Sequence, residues 1–158
     1  MATPLPRRKH PRLAAEVYAD PANACSVTVT TLGRRLLFAE NDLAGTLCSL
    51  LLERARAAEV KLYAYCLMPD HMHLLLSPSR STSIPRFLQD FKSRSTRVAW
   101  SLGIAGRIWQ SSFYDHFLRA EEDLQVAAQY ILNNPVRASL VEDWRHYRYS
   151  GSNVYDLR

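Results

Sequence analysis

Two histidines one residue apart, His71 and His73, open the second half of the run Met68-Pro69-Asp70-His71-Met72-His73-Leu74-Leu75-Leu76. Imidazole nitrogens are good ligands for divalent metals, and two of them side by side can share one ion. Side chains alternate faces along a strand. His71, His73 and Leu75 therefore share one face, and Met72, Leu74 and Leu76 share the other. The leucine face can bury itself under a helix. The pair selects neither a metal nor a reaction, and two other readings stand beside it. Both histidines can be ordinary surface or satisfied core residues, or they can join Cys66 in a structural zinc site. Strand alternation counts against the zinc site, because it gives Cys66 an odd spacing from the histidines across the turn.

The chemistry that the pair lacks lies late in the chain. In Glu122-Asp123-Leu124-Gln125-Val126-Ala127-Ala128-Gln129-Tyr130-Ile131-Leu132-Asn133-Asn134-Pro135, an apolar stripe runs through Leu124, Ala127, Ala128 and Ile131. Tyr130 and Asn134 are four residues apart, so they stack on one flank of that stripe. A tyrosine hydroxyl can act as a nucleophile, and an amide oxygen is a hard ligand suited to Mg²⁺ or Mn²⁺. Two imidazoles, one amide oxygen and one phenol form a set suited to metal-assisted phosphoryl transfer.

The elements that must position these residues follow from periodicity. Cys25 to Thr31 alternates and is β-branched, which predicts a strand. Leu43, Leu47, Leu50 and Leu51 have helical core spacing, with Asn41 or Asp42 as cap. Lys61 to Leu67 and the histidine run form two strands, and Pro69-Asp70 between them is turn chemistry. A second helix starts near Ser83 and tolerates Pro85 in its first turn. Its apolar positions are Ile84, Phe87, Leu88, Phe91 and Val98. Residues 108–110 and 113–119 read as further strand segments, and Trp109 as a core aromatic. Glu121-Glu122-Asp123 opens the tyrosine helix, which Pro135 should stop. The aromatic tail after Val136 packs irregularly over the domain. The order strand, helix, strand, strand, helix, strand, helix predicts an α+β, ferredoxin-like sandwich with helices on one face of an antiparallel sheet. The other face is then available for a ligand.

At 158 residues, with 47% hydrophobic and 22% charged residues, the chain suits a single globular domain. Residues 1–24 are expected to be a basic, poorly ordered segment, and 25–158 the catalytic domain. No apolar run has the length of a membrane span, and the N-terminus lacks the apolar centre of a signal peptide. Three cysteines without a Cys-x-x-Cys pair argue against a disulfide framework and for a reducing cytoplasm. Lysine and arginine total 20 against 15 acidic residues, a net charge of +5, mostly from arginine. That excess favours a polyanionic partner. Arg86, Lys92, Arg94, Arg97 and Arg119 are the expected contacts to DNA phosphates.

With these residues in view, a resemblance emerges. Tyr65-Cys66-Leu67-Met68-Pro69-Asp70-His71-Met72-His73-Leu74-Leu75 resembles the His-hydrophobic-His (HUH) motif of the single-tyrosine, IS200-like transposases. Trp109-Gln110, Phe113-Tyr114-Asp115-His116, Glu121-Glu122-Asp123-Leu124 and Tyr130-Ile131-Leu132-Asn133-Asn134-Pro135-Val136-Arg137-Ala138 resemble the C-terminal signature of REP-associated tyrosine transposases. The resemblance implies a ferredoxin-like core acting on single-stranded, often hairpin, DNA. It also implies cleavage to a 5′-phosphotyrosine and a free 3′-hydroxyl, followed by strand transfer. His71 and His73 then hold Mg²⁺ or Mn²⁺, and Tyr130 is the nucleophile. Where insertion-sequence relatives place a glutamine one turn after the tyrosine as third ligand, this chain has the shorter Asn134. Relatives act as homodimers or as monomers. A DNA-binding regulatory protein with the same fold and no cleavage activity is the competing expectation.

Overall fold

A computed structural model describes residues 12–39, 42–119 and 122–157. Its helices are α1 (Ala15–Ala19), α2 (Asp42–Ala57), α3 (Ile84–Ser101), α4 (Leu124–Leu132) and α5 (Asn134–Arg137). The strands are β1 (Cys25–Thr30), β2 (Lys61–Met68), β3 (His71–Ser77), β4 (Tyr114–Phe117) and the two-residue β5 (Ser150–Gly151). All pairings are antiparallel, in the order β4-β1-β3-β2-β5. The path β1-α2-β2-β3-α3-β4, with β1 and β3 inside the sheet, is the expected ferredoxin-like sandwich.

Alternation assigns the two faces. Cys25, Val27 and Val29 of β1 and Met72, Leu74 and Leu76 of β3 point into one core. There they meet Leu43, Leu47 and Leu51 of α2 and Ile84, Phe87, Leu88 and Phe91 of α3. The opposite face has its own cluster. Tyr63, Ala64, Cys66 and Met68 of β2 and Leu75 of β3 pack against Ala128, Ile131 and Leu132 of α4, with Tyr147 from the C-terminal segment. Thus α2 and α3 form the expected helical layer, and α4 with the tail covers part of the face expected to lie open. Covered on both sides, β2 is buried from Leu62 to Met68 rather than alternating. A bulge between Leu62 and Ala64 turns the consecutive residues Tyr63 and Ala64 to the same side.

Capping fixes where the helices begin. Ser83 accepts from the Arg86 N–H, with Pro85 in the first turn of α3. Asp123 accepts from the N–H groups of Gln125 (2.7 Å) and Val126 (3.1 Å) at the start of α4. Pro135 does not simply end the tyrosine helix. It lies in the first turn of α5, and Asn133 (φ −81°, ψ −1°) joins the two helices.

Three other expectations change. The segment 1–24 was expected to be poorly ordered; residues 1–11 lie outside the described residues, but within 12–24 the mostly exposed segment is anchored through Tyr18 of α1. Tyr18 of α1 is buried, stacks edge-on with Phe117 and hydrogen-bonds the Asp115 carboxylate, which also pairs with Arg12. The proline-rich composition hid this anchor. Residues 108–110 make one isolated bridge, Thr31 to Trp109, instead of a strand. The Trp109 side chain goes into the core, where its N–H donates to Ser95 Oγ at 2.8 Å and its ring meets Phe38 and Phe91. The tail is less irregular than expected. Leu67 N–H donates to Tyr149 O, the Tyr147 hydroxyl donates to Leu67 O, and β5 pairs with β2. Gly151 allows that pairing, since a Cβ there would lie 2.9 Å from the buried Tyr65 hydroxyl.

The three cysteines are free and buried. Burial pushes the thiols of Cys48 and Cys66 up to about 12 from an ordinary 9.0. Between those values the folded chain keeps protons that the unfolded chain has released, so stability is complete below pH 9.0 and falls as pH rises above it. Urea unfolding across that range should therefore show a smaller loss with pH in the Cys48→Ala/Cys66→Ala double variant than in the parent. Equal pH slopes would remove both thiols from that loss.

Candidate metal and nucleophile site

The register of β3 builds the site. Thr28 of β1 and Cys66 of β2 flank His73 as its direct cross-strand neighbours, and Tyr114 of β4 lies beyond Thr28 on the same face. His71 opens the strand at the two-residue turn. Two other segments pin that turn: Thr31 N–H donates to Asp70 O, and Phe38 N–H donates to Pro69 O, both at 3.0 Å.

Each imidazole is held at Nδ1 and turned toward the other at Nε2. The Asp70 carboxylate lies 2.6 Å from His71 Nδ1, and Thr28 Oγ1 lies 3.0 Å from His73 Nδ1. The two Nε2 atoms are 3.1 Å apart, with the rings perpendicular. Neighbouring ligands on one ion with bonds of about 2.1 Å are separated by about 3 Å, so the pair fits a shared divalent cation. The carboxylate favours a proton on His71 Nδ1, with Nε2 turned toward His73. The Thr28 hydroxyl can donate or accept, so the His73 proton can sit on either nitrogen.

Electrostatics favour a neutral His73. Burial, then the neighbouring His71, then Arg137 lower His73 to about 4, which leaves it uncharged at neutral pH. Burial alone would raise Asp70. The hydrogen bond and charge of His71, with Arg34 behind them, hold its carboxyl below the usual range. Arg34 Nε lies 3.3 Å from Asp70 Oδ2.

The helix that carries the phenol packs on this same face. Ala128, Ile131 and Leu132 point down onto β2 and β3, while Tyr130 is 65% exposed. Its hydroxyl makes no hydrogen bond to any described residue. Asn134 follows one turn later with its carboxamide fixed at both ends. Nδ2 donates to Ile131 O at 3.0 Å, and Oδ1 accepts from Arg137 Nη2 at 2.7 Å. His71, His73, Tyr130 and Asn134 therefore share one side of the sheet, and the amide oxygen already has a guanidinium on it.

Cys66 also faces this side, directly across from His73, contrary to the alternation argument. A two-residue turn preserves the face, so strand partners match. The thiol nevertheless turns toward Met68 Sδ at 3.7 Å, and its raised pKa keeps it protonated. Among the described residues, no three His, Cys, Asp or Glu side chains group as a metal site.

The expected phosphate contacts scatter. Arg86, Lys92, Arg94 and Arg97 belong to α3, on the face of the sheet away from the histidines. Arg86 and Arg97 are exposed, while Arg94 is paired with Asp90 at 2.8 Å. Lys92 is half-buried and donates to the carbonyls of Gln110 and Ser112. Burial, with Arg12 and Arg107 nearby, brings it down to about 8. Arg97, Trp100 and Arg107 line a groove of about 740 Å³ with no acidic side chain in its wall. Arg119 is separate from these, exposed on the loop entering α4, with its N–H donating to Glu122. Sequence reasoning passed over Thr28, Asp70 and Arg137. Only the register shows Thr28, whereas Asp70 adjoins His71 and Arg137 follows Asn134 at helical spacing.

Comparisons with known proteins agree with this geometry. The family described as "Transposase IS200 like" matches residues 24–134. A Haemophilus influenzae protein, named as a candidate REP-associated tyrosine transposase, is 28% identical over 103 residues, or 55% of this chain. The chain spans only 56% of that relative's length. In fold, the chain resembles a REP-associated tyrosine transposase bound to a REP hairpin, with a TM-score of 0.69, 20% identity, and coverage of 90% of this chain and 81% of the other. It also resembles a candidate transposase from Deinococcus radiodurans R1, with a TM-score of 0.53, 26% identity, and coverage of 70% and 88%. Since the family match takes in the histidine strand, Tyr130 and Asn134, the chain belongs to the IS200-like transposases.

Proposed function

We propose that this chain is a metal-dependent single-strand DNA endonuclease and strand transferase acting on hairpin or repeat DNA through Tyr130. The observation that carries this reading is the pair of Nε2 atoms 3.1 Å apart on the sheet face against which α4, the helix that bears Tyr130, packs. His71 and His73 would hold the cation, and Asn134 Oδ1, once released by Arg137, would be the third protein ligand. When bound, Mg²⁺ or Mn²⁺ supplies Lewis-acid polarisation of the scissile phosphate. Tyr130 loses its proton, and its oxygen forms a bond to phosphorus. The bond from phosphorus to the 3′ oxygen breaks, and that oxygen takes up the proton as a free 3′-hydroxyl. In the reverse sense, a 3′-hydroxyl of another strand attacks the phosphotyrosine and regenerates the phenol. Bond types are conserved, so no external energy source is needed. Asp70 and Thr28 keep the imidazoles oriented.

Hairpin DNA as the partner is supported by the solved neighbour bound to a REP hairpin and by the positive net charge. Arg86, Arg97 and Arg119, together with the acid-free groove beside α3, are the phosphate contacts of this reading. Arg94 and Lys92 are less available, being committed to Asp90 and to loop carbonyls. The protein acts as a monomer or a homodimer. The alternative is a DNA-binding regulatory protein with no cleavage activity. One observation favours it: Asn134 Oδ1 is already occupied by Arg137. Labelled hairpin incubated with Mn²⁺ separates the two, because binding without a covalent adduct supports the regulator.

Tyr130 is exposed, so Tyr130→Phe should leave the fold and hairpin binding nearly intact while abolishing the covalent adduct. Adduct persisting in that variant on a denaturing gel would move the nucleophile elsewhere. Asp70→Asn should weaken Mn²⁺ binding about ten- to a hundredfold by calorimetry, since it frees the His71 ring. Full affinity would separate Asp70 from the metal. Arg97→Ala should weaken hairpin binding and reduce the salt slope by about one; an unchanged slope would show that Arg97 touches no phosphate.

A further inference from the structure

Arg137 is placed where three parts of the candidate site meet. Its guanidinium lies over the Tyr130 ring, 3.9 Å from the centroid. One nitrogen, Nη2, donates both to the Tyr130 carbonyl at 2.9 Å and to Asn134 Oδ1 at 2.7 Å. Tyr130 projects from an exposed flank of α4, where the core gives its ring little support. Among the described residues, Arg137 makes the one cation–π contact to that ring. The spacing explains the arrangement. Tyr130, Asn134 and Arg137 lie at i, i+4 and i+7, along one stripe of the nearly continuous path from α4 into α5.

We propose that Arg137 is a positioning residue: it fixes the nucleophilic ring of Tyr130 from above and competes with a divalent cation for the amide oxygen of Asn134. This inference rests on the tyrosine-transferase reading. A planar guanidinium can stack on a ring and donate within its own plane at the same time, which an ammonium cannot do. A divalent ion on the same oxygen would face that guanidinium at close range, and the two positive charges repel. Releasing Asn134 to the cation therefore costs a hydrogen bond, so ring placement and ligand supply are opposed through a single side chain.

The test uses the full chain, Mn²⁺ and labelled hairpin DNA. Arg137→Gln should bind Mn²⁺ severalfold more tightly than the parent by calorimetry or Mn²⁺ spin resonance without DNA. At saturating hairpin it should form the covalent adduct about ten- to a hundredfold more slowly, with hairpin affinity little changed. Arg137→Lys keeps the charge but not the planar fork, so its adduct rate should stay low; a mere phosphate contact would be restored by lysine. Circular dichroism confirms that both variants fold. Parental adduct rates in either variant overturn the proposal, as does unchanged or weaker Mn²⁺ binding in Arg137→Gln. The Mn²⁺ measurement needs no cleavage, so it stands apart from a failure of the transferase reading, which would appear as hairpin binding by the parent without any covalent adduct.

Discussion

Strand register is the constraint on which the site depends. His73 sits between Thr28 and Cys66 because β3 is paired on both sides, and the period of a strand is two. A slip of one residue would send both imidazoles into the α2–α3 core and bring Met72 and Leu74 out beneath α4. Burial of Leu62, Leu67, Met72, Leu74 and Leu76 against the first helical layer makes that slip expensive. The hydrophobic core thus selects the face on which the chemistry stands, although none of its members takes part.

Around the imidazoles, the chain spends its polar groups on orientation. Asp70 and Thr28 engage the far nitrogens, and Arg34 steadies Asp70 from outside. The turn carrying these groups is pinned by the backbones of Thr31 and Phe38. A short connection that brings its own carboxylate partner lets a single strand, β3, deliver both imidazoles already oriented. The helical part of the site is attached differently. It rides on a small apolar contact through Ala128, Ile131 and Leu132, and its polar side chains are secured by Arg137.

The sequence made much of this legible because local pattern and tertiary environment agree. The leucines of α2, the Ser83-Pro85 start of α3 and the Pro69-Asp70 turn all mean locally what they mean in the fold. The faces of β3 were readable for the same reason. Other features depend on where distant segments land. The bulge at Tyr63, the pairing of Thr28 with His73 and the cover that Tyr147 gives Leu67 involve partners far apart in sequence, and no local periodicity encodes them. The short α1 was hidden by its proline-rich setting. Residues picked for positive charge fared unevenly, since composition cannot show that Lys92 is consumed by loop carbonyls or Arg94 by Asp90. Helical spacing put Tyr130 and Asn134 on one flank of their helix; that this helix packs on the histidine side was implied by the family resemblance, and only the long-range contacts of Ala128, Ile131 and Leu132 show it.

The tail folded along β2 has an outcome beyond covering a few apolar atoms. An outer strand offers its unpaired amides and carbonyls to any neighbouring molecule with a strand of its own. Here Tyr147, Tyr149 and β5 occupy part of that margin, and β4 at the other end is four residues long. Both borders of the sheet are therefore poor templates for lateral fusion, with Tyr147, Tyr149 and β5 serving as the selvedge along one of them.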